Sequence, residues 1–379
     1  MRDRTAPMNL RPDALRALER CERLCPRDES PSVSLRVDVL RAIIERGAAP
    51  RVAVVGRRGS GKSSLLNALE NRPIARTGDV ADATLEARLF HLETASGGVH
   101  WLDTPGLRAG GRVGRLDAVR HAVRAFQPTR VAFLCASTEA DAGIDDDLDD
   151  LAAILDALPS RAPLVAVATR VDELPPLDQH SPPFDDEKRA HIAAAVSTLH
   201  RHLLRRELSP RAVIPVCAFA SWSDDAIVDD ARWNLAPLAR ALSLPGDRSI
   251  EDDLEGLLRG LTSALVERVA LDAETASAHA PGARGAHLVR ARHEALITCL
   301  DALLGAFTER RGQSLAETLA PVARPGALFG AVRGVLEGLG ALGFSGSLAA
   351  ARVRAIGRAV LTLESLRPSK AIVEAVSRE

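Results

Sequence analysis

One eight-residue segment, GRRGSGKS at residues 56–63, restricts what this chain can fold into more than any other feature. It matches the pattern G-x-x-x-x-G-K-[ST], with the apolar run RVAVV before it and a helical pattern after it. Glycines let such a loop curl so that successive backbone amides point at phosphate oxygens, and the start of the following helix adds positive charge. The residues expected to bind nucleotide phosphates are Gly56, Arg58, Gly59, Ser60, Gly61, Lys62, Ser63 and Ser64.

Lysine is rare in this chain, and its rarity strengthens the interpretation of that loop. Of 49 basic residues only three are lysines, namely Lys62, Lys188 and Lys370. One of the three stands where a phosphate loop requires an ammonium group, so a chance glycine turn is the weaker explanation. We expect Lys62 to reach the terminal phosphates and the hydroxyl of Ser63 to bind Mg²⁺.

A second motif, DTPG at residues 103–106, follows the apolar strand pattern VHWL. Asp103 can hold Mg²⁺ through water, and the backbone amide of Gly106 can meet a γ-phosphate. Thr84 lies 22 residues after the lysine of the phosphate loop. Its hydroxyl is expected to complete the Mg²⁺ ligands when a γ-phosphate is present, whereas a loop residue or helix cap is its other interpretation. Thr77 is the competing candidate.

The motif TRVD, after the strand pattern LVAVA, addresses the nucleotide base. Asp172 can accept hydrogen bonds from the ring N–H and the exocyclic amine of guanine, and adenine offers no such pair of donors. Thr169 precedes it, and the stem of Arg170 is expected to cover the base. Cys217 and Ala218 end the next strand pattern, and the amide of Ala218 could donate to the guanine oxygen. A polar strand end is the alternative for each short motif.

Together these segments resemble the guanine-nucleotide motifs of the translation-factor-class GTPases, in their Era/septin-like branch. The resemblance covers roughly residues 51–222, and it implies binding of GTP or GDP with Mg²⁺ and hydrolysis of GTP to GDP and phosphate. Two departures stand out. Arg170 replaces the lysine usual in that family, where the aliphatic stem does the stacking, and Cys217-Ala218 replaces the usual Ser-Ala.

The resemblance also bears on hydrolysis. Ras-like GTPases place a water-orienting glutamine directly after the glycine of DTPG, but this chain has Leu107 there. The catalytic roles then fall to Lys62, Thr84 and Gly106. Arg58, with its neighbour Arg57, could offset charge on the transferring phosphoryl group in cis or across a dimer; simple phosphate binding is the other interpretation. The acidic run at 145–150 is expected to be a solvated helix start.

Alternating strand and helix patterns predict an α/β fold with a mostly parallel sheet covered by helices on both faces. Strand patterns end near residue 247, and helical patterns lie on both sides of the alternating region. The sequence therefore predicts an N-terminal helical segment at 1–48, a Ras-like P-loop GTPase domain at 49–246 and a C-terminal all-α domain at 247–379.

The segment 325–350 stands apart because its only charges are Arg333 and Glu337. Glycines recur in it every four residues, at 326, 330, 334 and 338, and small residues on one helix face allow close helix packing. A membrane-spanning helix would bury both charges, which argues against that interpretation. Internal packing, contact with a second copy and reversible contact with a membrane surface remain open.

Charge and cysteine content exclude other classes. The formal net charge of −1 argues against a nucleic-acid binder, and five scattered cysteines show neither zinc spacing nor a disulfide framework. The first 20 residues are charged throughout, unlike a signal peptide. We therefore expect a cytoplasmic protein, with peripheral contact at the inner membrane left open.

The sequence leaves two other functional classes open for this protein, and it indicates several partners. One alternative is a dynamin-like GTPase that oligomerises on membranes, and the other is a nucleotide-dependent protein scaffold that does not hydrolyse GTP. The expected partners are GTP itself, an unidentified protein effector or activator, and a second copy of the chain.

Overall fold

The computed structural model describes residues 10–75, 86–94, 96–107, 112–139, 144–223, 226–279, 283–308, 345–362 and 366–377. The chain divides into two compact units. One unit, called here the GTPase-type unit, is Ala49–Asp247, and the other, called the helical unit, joins Met1–Ala48 to Arg248–Glu379.

The GTPase-type unit is built on a six-stranded sheet of order β2-β3-β1-β4-β5-β6. Its strands are β1 (Arg51–Gly56), β2 (Arg88–Thr94), β3 (Gly97–Asp103), β4 (Arg130–Ala136), β5 (Leu164–Thr169) and β6 (Ala212–Pro215). Strand β2 pairs antiparallel with β3, and the other neighbours pair parallel. Every residue of β1, β4 and β5 is buried, because parallel strands covered on both faces need continuous apolar runs rather than alternation. The predicted mostly parallel α/β fold is confirmed.

Helices cover this sheet. They are α3 (Lys62–Glu70), α4 (Arg112–Phe126), α5 (Asp145–Asp156), α6 (Asp186–Arg205) and α7 (Leu235–Ser243). Leu65 and Leu66 of α3 and Leu238 of α7 pack with Val54 and Trp101 of the sheet in one buried cluster. Helix α4 contacts β1, and α6 contacts β5 and β6. The apolar faces of α3, α4, α6 and α7 thus pack against the sheet.

Two short paired strands follow the last strand of the sheet, and no sequence pattern predicted them. Strands β7 (Ala220–Ser223) and β8 (Ala226–Asp230) pair antiparallel outside the main sheet. The two strands have only four and five residues, all at least partly exposed, so no long apolar run marks them in the sequence. Trp222 lies 5.9 Å from the guanidinium of Arg232, which places a cation–π contact beside the hairpin.

The helical unit combines helices from both ends of the chain. They are α1 (Leu10–Leu24), α2 (Pro31–Arg46), α8 (Ile250–His279), α9 (Ala283–Phe307), α10 (Ser345–Thr362) and α11 (Lys370–Ser377). Helix α8 packs against α2, α9 and α10, and α1 packs against α2 and α9. The sulfur atoms of Cys21 in α1 and Cys299 in α9 are 3.1 Å apart. The sequence treats residues 1–48 and 247–379 as separate parts, whereas their apolar helix faces here share one core.

The packing of α10 on α8 depends on a small residue. A Cβ atom at Gly357 would collide with the side chain of Val266. The glycine-spaced segment at 325–350 lies mostly outside the described residues. Among the helices that the structure describes, none has both the length and the apolar character required to cross a lipid bilayer.

Candidate nucleotide-binding site

The phosphate loop connects the end of β1 to the start of α3, and its glycines are demanded by the backbone. Gly59 and Gly61 have φ values of 82° and 85°, in the left-handed region that residues with a Cβ rarely adopt. A Cβ atom at Gly56 would clash with the carbonyl oxygen of Leu134 and would lie 2.8 Å from the hydroxyl of Ser60. The glycine spacing of the motif therefore follows from the curvature of the loop.

The side chain of Lys62 is buried within this loop and hydrogen-bonds to its backbone. Its side chain is only 8% exposed, and Nζ donates hydrogen bonds to the carbonyl oxygens of Gly56 at 3.0 Å and Arg57 at 2.9 Å. Burial lowers the pKa of Lys62 to about 8, and the carboxylates of Asp103 and Asp147 oppose part of that decrease. An ammonium group held in this way can donate hydrogen bonds to phosphate oxygens in place of the loop carbonyls.

The two residues predicted to hold Mg²⁺ in this part of the chain lie side by side. The hydroxyl of Ser63 donates to Oδ2 of Asp103 at 3.3 Å, and Asp103 is 2% exposed. The next residue, Thr104, fixes the strand end by donating to the carbonyl of Val54 at 2.6 Å. Hydroxyl and carboxylate oxygens are the hard ligands that Mg²⁺ prefers, so this pair fits the ion. Thr84 and Thr77 lie outside the described residues.

Gly106 and Leu107 contact the phosphate loop through the backbone. The amide of Leu107 donates to the carbonyl of Gly56 at 3.0 Å, and the amide of Arg58 donates to the carbonyl of Leu107 at 3.3 Å. A Cβ atom at Gly106 would lie 2.7 Å from Cα of Arg58, so only glycine allows this approach. Backbone hydrogen bonds and close packing therefore hold the motif after β3 against the phosphate loop.

The arginines of the phosphate loop have different surroundings. Arg58 is exposed, but Nε of Arg57 donates to Oδ2 of Asp147 at 3.0 Å, with Glu139 at 3.7 Å from Nη1. The expectation that the acidic run at 145–150 is simply a solvated helix start is therefore wrong for Asp147. This residue is only 5% exposed, because the parallel pairing of β1 with β4 brings α5 beside the loop.

Thr169 lies beneath the phosphate loop. Its hydroxyl donates to the carbonyl oxygens of Ser60 at 2.8 Å and Cys135 at 3.2 Å, and the residue is 1% exposed. Thr169 is among the residues predicted to contact the nucleotide, and that role stays a prediction. Its observed bonds also connect β5, β4 and the loop that carries Lys62.

The two segments predicted to recognise the base meet beyond β5. Arg170 has a φ value of 57° and forms an ion pair with Glu173 at 2.6 Å, which leaves its stem partly exposed. Asp172 is half-buried in the turn Val171–Glu173. Burial, together with the neighbouring charge of Asp172, raises the pKa of the Cys217 thiol to about 12. Asp172 and Cys217 are thus neighbours in the fold, and the half-buried Ala218 directly follows Cys217 in the chain.

One residue of this region escaped the sequence analysis. Lys188 in α6 is fully buried, and its ammonium group bonds to carbonyl oxygens of the loop that follows Asp172. The rarity of lysine, which drew attention to Lys62, applied equally to Lys188. Its distance of 16 residues from Asp172 along the chain gave no local pattern that would have linked the two.

Comparison with known proteins finds one family whose match includes the phosphate loop and the DTPG motif. The family described as 50S ribosome-binding GTPase matches residues 51–170. The tRNA modification GTPase MnmE of Pasteurella multocida (strain Pm70) is 34% identical over 143 residues. That match covers 36% of this chain and 31% of MnmE, so the likeness spans less than a third of the relative.

Solved structures give only distant likeness. A dimerisation-deficient variant of Toc33 from Arabidopsis thaliana shares 16% identity with a TM-score of 0.39, over 56% of this chain and 91% of Toc33. Era from Aquifex aeolicus bound to GDP and aluminium fluoride shares 15% identity with a TM-score of 0.38, over 68% of this chain and 89% of Era. The sequence match and the motifs at residues 56–63, 103–106 and 169–172 carry the assignment: this chain contains a P-loop GTPase domain that resembles those of the Era-like GTPases of the translation-factor class.

Proposed function

We propose that this protein binds GTP with Mg²⁺ and hydrolyses it to GDP and phosphate, and that the bound nucleotide sets the conformation of the GTPase-type unit. The observation that carries the proposal is the convergence of three features on one loop. Lys62 closes the phosphate loop, Ser63 and Asp103 are 3.3 Å apart beside it, and Gly106 packs directly on Arg58. Phosphates, a divalent cation and a γ-phosphate sensor each require one of these features.

Mg²⁺, when bound, would neutralise charge that develops on the β- and γ-phosphates. In the proposed site Ser63 holds the ion directly and Asp103 holds it through water. Thr84 would add its hydroxyl when the γ-phosphate is present. Lys62 would donate to the terminal phosphates, and exposed Arg58 is the candidate for binding or neutralising phosphate charge at the mouth of the loop.

Guanine specificity is assigned to Asp172. A half-buried carboxylate can accept from both donors on the Watson–Crick edge of guanine, and the amide of Ala218 can donate to the guanine oxygen. The stem of Arg170 can cover the base if its ion pair with Glu173 is kept at the edge. Because adenine does not offer this pair of donors to a carboxylate, ATP should bind weakly.

The conformational switch is assigned to the backbone pairing between Leu107 and the phosphate loop. A γ-phosphate that accepts a hydrogen bond from the amide of Gly106 would compete with the backbone hydrogen bonds that now join Leu107 to Gly56 and Arg58. We propose that the output reaches an unidentified protein effector or a second copy of the chain in the cytoplasm. The described residues offer no feature that favours a membrane or a nucleic acid as that partner.

Phosphate release by the purified protein tests the proposal. With saturating GTP we expect slow release that stops when EDTA replaces Mg²⁺, and no release from ATP. Ser63→Ala should reduce Mg²⁺-dependent release by at least about tenfold, whereas Ser197→Ala, on an exposed face of α6, should leave it unchanged. GTP binding without any phosphate release would favour the non-hydrolysing scaffold instead.

The base assignment has its own test. Asp172→Asn should weaken GTP binding and improve binding of xanthosine triphosphate, because an amide can donate to the second xanthine oxygen whereas a carboxylate can only accept. Titration calorimetry with both nucleotides measures the exchange. Wild-type protein that binds ATP as tightly as GTP would contradict the assignment of Asp172.

A further inference from the structure

Lys188 has no exposed surface, although it carries a charge. It lies in the first turn of α6, which begins after Asp185, and its own backbone amide donates to the Asp185 carboxylate at 2.8 Å. Its Nζ donates to the carbonyl oxygens of Asp172 at 2.7 Å and Pro176 at 3.2 Å, and also to that of Leu174. An ammonium group has three donors, and each of them here has a backbone acceptor.

All three acceptors belong to one loop, residues 172–176, which starts at the residue assigned to guanine. Burying a lysine is costly unless its charge is fully hydrogen-bonded, so this arrangement requires the loop carbonyls to converge on one point. The ring of Phe184 completes the surroundings, with its centroid 5.7 Å from Nζ. Lys188 therefore fixes the direction of the peptide group that carries Asp172.

The same surroundings extend to the second base-recognition segment. Phe184 packs edge-on against Trp233, with ring centroids 5.4 Å apart. The backbone of Trp233 pairs with that of Cys217, at 2.9 Å and 3.2 Å. Phe184 and Cys217 also share one buried cluster with Val171. The loop of Asp172 and the segment of Ala218 are consequently connected through the buried contacts of Phe184, Trp233 and Cys217. Lys188 lies next to Phe184 in this cluster.

We propose that Lys188 is a positioning residue for nucleotide specificity, which holds Asp172 where it reads both donors of guanine. This inference rests on the proposed binding of GTP. It predicts that Lys188 affects recognition of the base and leaves recognition of the phosphates almost untouched. A merely structural lysine would instead change the stability of the unit, or the affinity for every nucleotide, to the same degree.

Inosine triphosphate separates these two roles. It has the phosphates and ring N–H of GTP but lacks the exocyclic amine, so Asp172 loses one of its two hydrogen bonds. A hydrogen bond to a charged group gives a preference of about 10- to 150-fold, and the ratio of GTP to ITP affinity measures this preference. The ratio cancels any change that acts on phosphate binding alone.

The experiment measures this ratio by calorimetry for wild-type protein, Lys188→Met, Asp172→Asn and the double variant. Methionine keeps an unbranched apolar stem but has no donor. We expect Lys188→Met to lower the GTP/ITP ratio by about fivefold or more. ITP affinity should also fall, but by less than GTP affinity, because ITP makes one hydrogen bond to Asp172 where GTP makes two. In the Asp172→Asn background, Lys188→Met should have no further effect on the ratio. Lys370→Met, an exposed lysine of the helical unit, is the matched control and should match wild type.

Lys188→Gln is a second variant in case methionine prevents folding. Its amide keeps donors with a shorter reach, so it should give an intermediate ratio. A folded variant of either kind with the wild-type ratio would overturn the inference, as would failure of both variants to fold, because Lys188 would then govern the whole unit. Absence of GTP binding in wild-type protein would overturn the proposed function itself, whereas wild-type discrimination with unchanged variants overturns only the role of Lys188.

Discussion

Nε of Arg57 lies 3.0 Å from Oδ2 of Asp147, an ion pair that ties the phosphate loop to the first turn of α5. The Asp147 side chain is 7% exposed and that of Arg57 is 25% exposed, so water screens the pair only partly. The pairing engages Arg57 with protein carboxylates, and Arg58 is the exposed arginine of the loop. Asp147 also helps to keep Lys62 charged, because its carboxylate opposes the burial that lowers the lysine pKa.

Asp147→Asn should therefore destabilise the GTPase-type unit. We expect its free energy of unfolding to fall by about 1–3 kcal/mol, because Arg57 keeps its charge and loses its buried partner. The three tryptophans, Trp101, Trp222 and Trp233, all lie in this unit, so denaturation followed by tryptophan fluorescence reports on it directly.

The matched control for that prediction is Asp149→Asn on the same helix. Asp149 is 51% exposed and pairs with Arg206, and exposed pairs contribute little. Its loss should change the free energy of unfolding by less than about 1 kcal/mol. Equal effects of the two substitutions would contradict a special role for the contact between Arg57 and Asp147.

Lys62→Ala should weaken GTP binding by about 10- to 150-fold or more, because at least one charge-assisted hydrogen bond to phosphate is lost. The protein should stay folded, since the change also removes a charge whose burial is unfavourable. Titration calorimetry and tryptophan fluorescence measure the two effects. Lys370→Ala is the control, and GTP affinity unchanged in Lys62→Ala would refute the assignment of this loop.

The pKa of Lys62 makes nucleotide affinity depend on pH. Without nucleotide this pKa is about 8, and negative phosphates raise it by favouring the ammonium form. Binding therefore takes up a proton near and above pH 8. GTP affinity should be highest below about pH 8 and fall by up to about tenfold per unit as pH rises above it.

Lys62→Met isolates this contribution from other titrating groups. Its GTP affinity should be lower and should lose the decrease above about pH 8. Calorimetry in two buffers of different ionisation enthalpy counts the protons taken up. The stability of the nucleotide-free protein should change in the opposite direction. A lysine pKa that folding lowers from about 10.5 makes the folded state more stable as pH rises from about 8 to about 10.5. Identical pH profiles for wild type and Lys62→Met would show that this lysine is not the titrating group.

Gly106→Ala should impair the γ-phosphate sensor. The new methyl group would lie 2.7 Å from Cα of Arg58, so the backbone must move and the hydrogen bonds of Leu107 to the phosphate loop must lengthen. We expect affinity for a non-hydrolysable GTP analogue to fall by about tenfold relative to GDP. Gly114→Ala is the control, because a Cβ there meets nothing within 4 Å. A wild-type ratio of analogue to GDP affinity in Gly106→Ala would contradict this account of the sensor.

Leu107 should limit basal turnover without contacting phosphate. It stands where Ras-like enzymes orient water, and we expect turnover at or below about 10⁻² s⁻¹ for dilute protein. Leu107→Gln should not speed it, because the side chain is 1% exposed and an amide would enter an apolar site. Leu107→Ala should lower the free energy of unfolding by about 2–5 kcal/mol. Rapid turnover by dilute wild-type protein, lost in Leu107→Ala, would contradict this view of the site.

The local motifs were predictable from sequence because their conformations demand particular residue types. Gly59 and Gly61 occupy left-handed backbone conformations, and the fully buried strands β1 and β5 show as unbroken apolar runs. Asp103 was identifiable because it directly follows the apolar run VHWL, and Asp172 because it ends the motif TRVD after the run LVAVA. By contrast, strands β7 and β8 gave no such signal, since they have only four and five residues and all of these are at least partly exposed.

The α/β class and the phosphate loop were predictable from the sequence, since each depends on neighbours along the chain, and the same motifs supply the candidate residues for Mg²⁺ and guanine. The pairing of Arg57 with Asp147, the hydrogen bond of Thr169 to Ser60 and the contact of Lys188 with the loop of Asp172 became visible only in the folded structure. It also united helices from both ends of the chain in one unit. These contacts arise because sheet order and helix packing bring distant residues together, and no local pattern records which distant partner will be adjacent.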